Sequence, residues 1–167
     1  RTWTGPDDLS ASVWLREDGE SMELYVSCGD DAFTQKGGEK ELWKGDSLQV
    51  ALVIPGQDGG WKIDLARLEN GRSCSYVWIA PAGFDAEGAA KAIRLTTNRD
   101  DAKKITSYRA RFPFAAFGLT KEKMKEGIRF NLLLNDNDGT IRETYMQLFP
   151  GLSSWNNLSY YPLIVFE

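Results

Sequence analysis

Hydrophobic and polar residues alternate with a period of two over most of the chain. Every second residue is hydrophobic in segments 9–15, 22–28 and 48–54, which is typical of strands that bury one face. Asp18-Gly19 separates the first two segments, so we expect a turn there and a hairpin between them. Further strands are predicted in WKIDLARL, SCSYVWIA, KAIRLTT, ITSYRARFPF and SYYPLIVFE.

A second hairpin is predicted in RFNLLLNDNDGTIRETYMQLF, where two strand-like runs flank Asn137-Asp138-Gly139. Only LTKEKMKEG indicates a helix, with Thr120 as its N-cap and Gly127 as its C-terminal stop. About nine or ten short strands with one short helix predict an all-β fold, an antiparallel β-sandwich of the immunoglobulin-like or jelly-roll-like kind.

Length and charge narrow the function classes. The 167 residues suit one domain with a full hydrophobic core. Acidic and basic residues are mixed along the chain, with a formal net charge of -4, so nucleic acid and membrane are not expected partners. The sequence contains neither an apolar stretch of the roughly 20 residues that span a membrane nor an N-terminal signal-peptide pattern. Because the chain begins with Arg1, we expect a module cut from a longer protein.

The sequence also lacks several catalytic signatures. It contains no histidine, which removes the commonest general base and every Ser-His or Cys-His nucleophile pair. Phosphate-loop, dinucleotide-binding, GxSxG and CxxC motifs are absent as well. Glycoside hydrolysis needs two carboxylates about 5 to 10 Å apart, a geometry that sequence spacing does not establish. Cys28 and Cys74 lie in strand-like runs and are compatible with buried thiols or with one disulfide.

The tryptophans fall into two groups by their local pattern. Trp14, Trp61 and Trp78 lie in alternating runs and are predicted to pack in the core or on a sheet face. Trp43 and Trp155 lie outside such runs among polar neighbours. A large ring in polar surroundings at a strand end suits sugar binding, because a pyranose packs its C-H face on the ring while its hydroxyls bind polar groups. A ring that tethers or caps the fold is the alternative interpretation.

Four segments in order carry a family resemblance: LYVSCGDDAFTQ, LWKGDSLQVAL with its W-x-x-D-S motif, GIRFNLLLNDNDG, and a tryptophan close to the C-terminus. Together they resemble carbohydrate-binding module family 9 and its DOMON-like relatives, over the span from Asp8 to Phe166. The resemblance implies a β-sandwich module attached to xylanases or other extracellular polysaccharide-active proteins. It also implies that the reducing end of a glucan or xylan chain binds between two tryptophan rings.

Carried over by position, the W-x-x-D-S motif assigns one ring to Trp43, and the tryptophan before the last strand assigns the other to Trp155. Family members place a glutamate and an arginine where this chain has Gln49 and Lys62. Both residues can hydrogen-bond sugar hydroxyls, although the charge-assisted bonds of an acid and the bidentate reach of arginine are lost. The preferred sugar is therefore expected to differ.

The resemblance implies further polar residues. An amide beside the second ring is expected from Asn156 or Asn157. Some members bind structural calcium, for which Asp30, Asp31 and Asp46 offer the first oxygen donors, with a solvated turn as the alternative for the adjacent pair. The segment NDNDGTIRETY lacks the carboxylates that an EF-hand requires at its first and twelfth positions, so it is interpreted as a hairpin turn. The related haem-binding domain of sugar dehydrogenases needs a histidine that this sequence lacks.

These observations predict a non-catalytic carbohydrate-binding module whose partner is an oligo- or polysaccharide. It is expected to be a monomer outside the cell or on its surface, with no cofactor other than a structural calcium. The alternative is a structural module that packs on adjacent domains of the same parent chain without binding sugar. A glycoside hydrolase domain is the third interpretation, and it would require two acids in a sugar-sized cleft.

Overall fold

The computed structural model describes residues 3–153 and 157–167, and these residues form ten β-strands. The strands are β1 Leu9–Glu17, β2 Ser21–Asp30, β3 Ser47–Val53, β4 Trp61–Arg67, β5 Ser73–Ile79, β6 Arg94–Asp100, β7 Ile105–Pro113, β8 Ile128–Asp136, β9 Thr144–Gln147 and β10 Leu163–Ile164. They pair antiparallel into two sheets. The predicted antiparallel β-sandwich is confirmed.

The first sheet has the strand order β1-β2-β7-β6. Its β1–β2 hairpin is confirmed, with Glu17 paired to Met22 across the turn. The Asp18 carboxylate accepts the backbone N–H of Ser21 at 2.8 Å, and Gly19 takes a φ of 87°, a conformation that glycine adopts readily. This local chemistry explains why an Asp-Gly pair separates the two alternating segments.

The second sheet has the order β10-β8-β3-β4-β5, and β9 also pairs with β8. The β8–β9 hairpin is confirmed, with Asp136 paired to Thr144, although residues 137–143 form a longer connection than a tight turn. The Asn137 side-chain oxygen accepts the Gly139 N–H at 2.8 Å at the start of this connection. Strand β3 lies inside the sheet, between β4 and β8, and nearly all of its residues are buried.

The hydrophobic core lies between the two sheets. One side of it comes from inward residues of the second sheet and the other from inward residues of the first. These residues include Leu48, Val50, Leu52, Ile63, Leu65, Leu132 and Leu134 from the second sheet and Leu24, Val26, Tyr108, Ala110 and Phe112 from the first. Trp61 is fully buried in this core, where its ring lies 4.6 Å from that of Phe117.

In residues 3–153 and 157–167, three short α-helices connect the strands: α1 Ala86–Ala92, α2 Phe114–Phe117 and α3 Lys121–Glu126. The predicted helix is confirmed as α3, where the Thr120 hydroxyl accepts the Lys123 N–H at 3.2 Å. The other two were not predicted from the sequence. Helix α1 is capped by Asp85 and buries only the small Ala89, so it lacks the hydrophobic periodicity that marks longer helices. It also includes the first residues of KAIRLTT, so strand β6 begins later than predicted.

The two cysteines are not paired. Cys28 is buried in the core, and Cys74 is buried on the outer side of the second sheet. The helices in the described part of the chain are too short or too polar to cross a membrane.

Candidate functional site

The candidate site lies on the outer face of the second sheet, opposite the core. Gln49 on β3 is paired with Asp64 on β4, which is paired with Tyr76 on β5. Directly paired residues point to the same side of an antiparallel sheet, so these three side chains share one face. Because their strand neighbours Leu48 and Leu65 belong to the core, that face is the outer one.

Two small hydrophobic clusters cover parts of this face. One contains Leu42, Ala66 and Cys74, and Leu42 belongs to the 3-10 helix Glu39–Lys44. The other contains Ala51, Leu133, Leu152 and Tyr161, which join the sheet to the segment before β10. Each cluster buries apolar surface of the sheet under side chains from a connecting segment, which holds Leu42 and Leu152 in place.

A depression of about 250 Å³ opens on this face, and it is lined by Trp43, Gln49, Lys62, Trp78, Arg142 and Ser153. Trp43 directly follows Leu42 of one cluster, and Ser153 directly follows Leu152 of the other. The depression is thus bounded by residues that adjoin both clusters. It is smaller than the roughly 300–1,000 Å³ of pockets for drug-sized ligands, which suits a ligand of one or two small rings.

Asp64 organises the floor of the depression. It has no exposed surface, and its two carboxylate oxygens accept the Gln49 Nε2–H at 3.0 Å and the Trp78 Nε1–H at 2.8 Å. Burial raises the pKa of Asp64 above its ordinary value, and the two donors and the charge of Lys62 oppose that rise. An ionised carboxylate only accepts hydrogen bonds, so the amide NH₂ of Gln49 must face it. The Gln49 carbonyl oxygen is therefore left to accept a bond from a ligand.

Trp43 is held by its backbone position and by two cations. Leu42 anchors the 3-10 helix, and the guanidinium of Arg142 and the ammonium of Lys44 lie 5.4 Å and 5.7 Å from the centre of the Trp43 ring. Arg142 stands equally close, at 5.4 Å, to the ring of Tyr145. Cation–π contacts of this kind restrict the ring while leaving it partly accessible.

A line of hydrogen bonds connects Arg142 to the same helix. Arg142 donates to the side-chain oxygen of Asn135 at 2.9 Å, and Asn135 donates to the Ser47 hydroxyl at 3.0 Å. The Ser47 hydroxyl in turn donates to the Leu42 carbonyl at 2.8 Å. Asn135, Ser47 and Leu42 are all buried, so the positions of the Arg142 cation and the Trp43 helix are coupled through a water-excluded network.

The predicted ligand-binding residues do not all lie at the depression. Trp43, Gln49 and Lys62 come together around the depression. Asn157 is exposed and caps the 3-10 helix Leu158–Tyr160, where its side-chain oxygen accepts the Ser159 N–H at 3.1 Å. The predictions for Trp155 and Asn156 lie outside the described residues.

Trp78, Arg142 and Ser153 were not identified from the sequence. Trp78 alternates with the buried Val77, which is a signal for the outer face, and a shift in strand pairing between Lys62 and Ile63 makes it the extra residue of a β-bulge. The bulge directs the Trp78 ring towards Asp64. Arg142 and Ser153 lie in loops, and no local pattern indicates their role.

A second cluster of polar residues lies at one end of the sandwich. Carboxylate oxygens of Asp8, Asp31 and Asp138 lie within 4.8 Å of one another, and so do those of Asp30, Asp136 and Asp138. One oxygen of Asp31 and one of Asp136 are buried without a hydrogen-bond donor. Carboxylate oxygens brought together in this way fit the donor set that Ca²⁺ prefers.

Two acids of this cluster have raised pKa values. Burial raises the pKa of Asp30 and of Asp136 to about 6, and neighbouring carboxylates contribute to both increases. The Nη1 atom of Arg99 lies 3.8 Å from the Oδ2 atom of Asp30 and supplies a positive charge beside it. A bound divalent cation would favour the ionised forms of these acids.

Asp46, the third acid predicted for calcium, does not belong to either group of carboxylates. Its oxygens accept backbone N–H groups of Thr34 and of Asn137, the latter at 2.8 Å. Burial raises the pKa of Asp46 to about 8, and Asp30 adds to the rise. The motif aspartate therefore ties the loop before the 3-10 helix to the end of β8, which positions both the Trp43 helix and the acidic cluster.

Comparison with solved structures identifies the fold. A carbohydrate-binding module of family 9 from Caldicellulosiruptor kristjanssonii in complex with glucose aligns with a TM-score of 0.67 and 14% identity, over 95% of this chain and 77% of that one. The same module in complex with cellotriose gives a TM-score of 0.67 over 95% and 75% of the two chains. A protein from Bacteroides uniformis ATCC 8492, provisionally named carbohydrate-binding, gives a TM-score of 0.69 at 12% identity over 97% and 80%.

At these identities the similarity establishes the fold, which is that of carbohydrate-binding module family 9. No protein-family model and no curated protein sequence matches the chain.

Proposed function

We propose that this chain, which has the fold of carbohydrate-binding module family 9, is a non-catalytic module that binds carbohydrate in the depression on its second sheet. The observation that carries the proposal is the depression itself, which Trp43 and Trp78 line together with the polar side chains of Gln49, Lys62 and Arg142. Aromatic rings with a few convergent hydrogen-bonding groups match the two kinds of surface that a sugar presents.

The ligand that fits best is a glucan- or xylan-type sugar, bound at a chain end. The small volume favours an end rather than a continuous chain, and the similar module from Caldicellulosiruptor kristjanssonii was solved with glucose and with cellotriose. Trp43 provides one stacking ring and Trp155 the other, with Trp78 at the rim. Ser153, two positions before Trp155 in the sequence, lines the depression and supports this assignment.

The position of Asp64 supports binding without hydrolysis. Both of its oxygens are occupied by donors from Trp78 and Gln49, and it has no exposed surface, so it orients the site and does not reach a sugar. The structurally similar proteins named as carbohydrate-binding modules support the same role. We place the module outside the cell or on its surface, where polysaccharides occur.

The test is a calorimetric titration with cello- and xylo-oligosaccharides, each also supplied with its reducing end converted to the alditol. We expect micromolar to millimolar dissociation constants, because two rings bury little apolar area and the hydroxyls exchange water for protein. Trp43→Ala and Trp155→Ala should abolish measurable binding, and Trp78→Ala should weaken it. Reduction of the sugar should remove binding if the chain end is recognised.

Trp14→Ala is the matched control, because Trp14 is a 54% exposed tryptophan on the opposite sheet. It should leave the affinity for neutral oligosaccharides unchanged. If the folded wild-type protein gives no heat with any of these sugars at millimolar concentration, the proposal fails for these glycans. The module would then be assigned to packing against neighbouring domains of its parent chain.

We also propose that the acidic cluster holds a structural calcium ion through Asp8, Asp30, Asp31, Asp136 and Asp138. Bound there, the ion would supply positive charge between the segment before β1 and the ends of β2 and β8. The donor-free oxygens of Asp31 and Asp136 support this assignment.

Scanning calorimetry with calcium and with a chelator tests the calcium proposal. An ion at one hundred times its dissociation constant adds about 2.7 kcal/mol to the free energy of unfolding, so the chelator should lower the Tm by several degrees. Asp136→Asn should remove most of the calcium response, whereas Asp58→Asn, at an exposed loop acid, should retain it. Equal Tm values with calcium and with chelator would contradict the assignment.

A further inference from the structure

The outer face of the first sheet carries three ordered rows of side chains that run across its four strands. Strand pairing places Trp14, Tyr25, Arg109 and Thr96 side by side, and we call this the aromatic row. On one side of it, the serine row consists of Ser12, Ser27, Ser107 and Asn98. On the other side, the arginine row consists of Arg16, Glu23, Arg111 and Arg94.

The aromatic row presents two large rings to solvent. Trp14 is 54% exposed and Tyr25 is 41% exposed, and their centroids lie 5.2 Å apart at an interplanar angle of 48°. Neither ring belongs to the core, which takes Val13, Leu15 and Leu24 from the same strands instead. The rings border a depression of about 410 Å³, larger than the one at Trp43. Exposed aromatic rings of this size are typical of recognition surfaces.

The depression lies between the rings and the arginine row, since Arg16, Glu23 and Arg109 also line it, and the serine row flanks the rings on their other side. The serine-row side chains are short, and each one carries a hydroxyl or amide group. A row across four strands spans three strand spacings, about 14 Å, which is long enough for several sugar rings in line. The aromatic row, with the depression on one side and hydroxyl groups on the other, therefore suits an extended chain that lies across the strands.

The charges on this face are predominantly positive. Glu23 is buried and contacts three arginines: Arg16 Nε at 2.6 Å, Arg111 Nε at 3.1 Å and Arg109 Nη2 at 3.6 Å. Arg111 is also paired with Asp18. The exposed Arg94 follows Arg111 in the arginine row and forms no ion pair in the described part of the chain. This face therefore carries four arginines and two carboxylates, although the formal net charge of the whole protein is -4.

We propose that this face is a second binding surface, for a linear glycan that carries carboxylate groups, such as a chain of uronic acid residues. Trp14 and Tyr25 stack on the sugar rings, and the serine row hydrogen-bonds their hydroxyls. Arg109, whose contact with Glu23 is the longest of the three, and Arg94 pair with the carboxylates of the glycan. A guanidinium suits this task because its paired N–H groups match a carboxylate. The surface lies on the opposite side of the sandwich from the Trp43 depression and acts independently of it.

Titration with a short oligogalacturonate, and with the same oligosaccharide after its carboxyl groups are reduced to alcohols, tests this proposal. The wild-type protein should bind the acidic form more tightly than the reduced form. Trp14→Ala and Arg109→Gln should each weaken binding of the acidic form at least about tenfold. Added salt should weaken it further, because the paired charges are exposed and screened.

Trp43→Ala serves as the matched control, since it removes an aromatic ring of the other surface and should leave oligogalacturonate binding unchanged. Trp14 and Arg109 are both largely exposed, so their variants are expected to fold, which circular dichroism would verify. The proposal is overturned if the wild-type protein does not bind oligogalacturonate, or if Trp14→Ala and Arg109→Gln bind it as the wild type does. It is also overturned if Trp43→Ala abolishes this binding. Failure of the neutral cello-oligosaccharide site would appear separately, in titrations with those sugars.

Discussion

The two outer faces of the sandwich each hold a buried carboxylate close to an exposed tryptophan, but they stabilise it differently. Asp64 has no exposed surface and accepts hydrogen bonds from two neutral donors. Glu23 is 6% exposed and is surrounded by three arginines that reach into solvent. Fixed neutral dipoles in a water-excluded site resist rearrangement, whereas ion pairs whose cations reach into solvent are weakened by salt. The second sheet should therefore present a preformed site, and the first sheet an adaptable one.

Matched alanine substitutions of the two carboxylates should give the largest contrast. Asp64→Ala would leave the Trp78 N–H and the Gln49 NH₂ without their buried acceptor, which should cost about 2–3 kcal/mol of unfolding free energy. Glu23→Ala leaves its arginine partners accessible to water, so the cost should be about 1 kcal/mol or less. Urea unfolding monitored by fluorescence measures both. Equal destabilisation of the two variants would contradict the contrast.

Gln49→Glu should give the next largest effect and should depend on pH. The variant places a second carboxylate against Asp64, and two such groups in contact raise the folded-state pKa of one of them above its unfolded value. The folded state then binds a proton more tightly, so stability is retained at low pH and lost as the pH rises. We expect a loss of about 2 kcal/mol at pH 7, largely recovered at pH 4. Gln147→Glu, at a neighbouring glutamine on β9, is the control, and a pH-independent loss in Gln49→Glu would exclude this explanation.

Arg142→Lys should have a moderate effect confined to the Trp43 depression. Lysine retains the charge but loses the planar group that lies over the Trp43 and Tyr145 rings, and it also loses the fork that reaches Asn135. We expect the affinity for cello-oligosaccharides to fall about threefold to tenfold, which corresponds to roughly 1 kcal/mol. Arg109→Lys on the other sheet should leave this affinity unchanged. An unchanged affinity in Arg142→Lys would show that the cation does not position the ring.

The smallest effect is expected from Asp18→Asn in the β1–β2 turn. Backbone N–H groups of Glu20 and Ser21 lower the pKa of Asp18 to about 2 from its ordinary value of 3.8. Because the folded-state pKa is the lower one, the ionised group stabilises the hairpin above pH 4, and this contribution is lost as the pH falls through 2. The Tm difference between wild type and variant should therefore be small at neutral pH and vanish near pH 2. If the Tm difference persists near pH 2, the hydrogen bonds of the side chain, and not its charge, account for the stabilisation.

Much of the fold could be predicted because local and global preferences agree. The alternation in segments 9–15 and 22–28 matches β1 and β2, and the Asp-Gly pair between them forms their turn. Helix α1 shows where this agreement ends. Its small alanine side chains pack against the core. Its sequence therefore lacks both the hydrophobic periodicity of an amphipathic helix and the large side chains that are typical of strands.

The candidate site was only partly predictable, because it combines local and distant features. Trp43 and Gln49 belong to one motif, so their proximity follows from a short stretch of sequence. Trp78 reaches the depression through a β-bulge, and Arg142 through the loop after β8, neither of which leaves a periodic signal. The same loop carries Asp138, which the sequence indicated only as a turn residue. It meets the acids of β2 only because the two sheets pack together.

The order of strands described above also determines when the protein can fold. Strand β2 completes its pairing only with β7, and β3 only with β8, so each sheet joins an early part of the chain to a late one. During synthesis, β2 and β3 therefore emerge with one edge unpaired and remain open to association with other chains until the later strands follow. Such non-local pairing is associated with folding times of roughly milliseconds to seconds. Refolding yield should accordingly fall as protein concentration rises, even though the finished sandwich pairs every one of these edges.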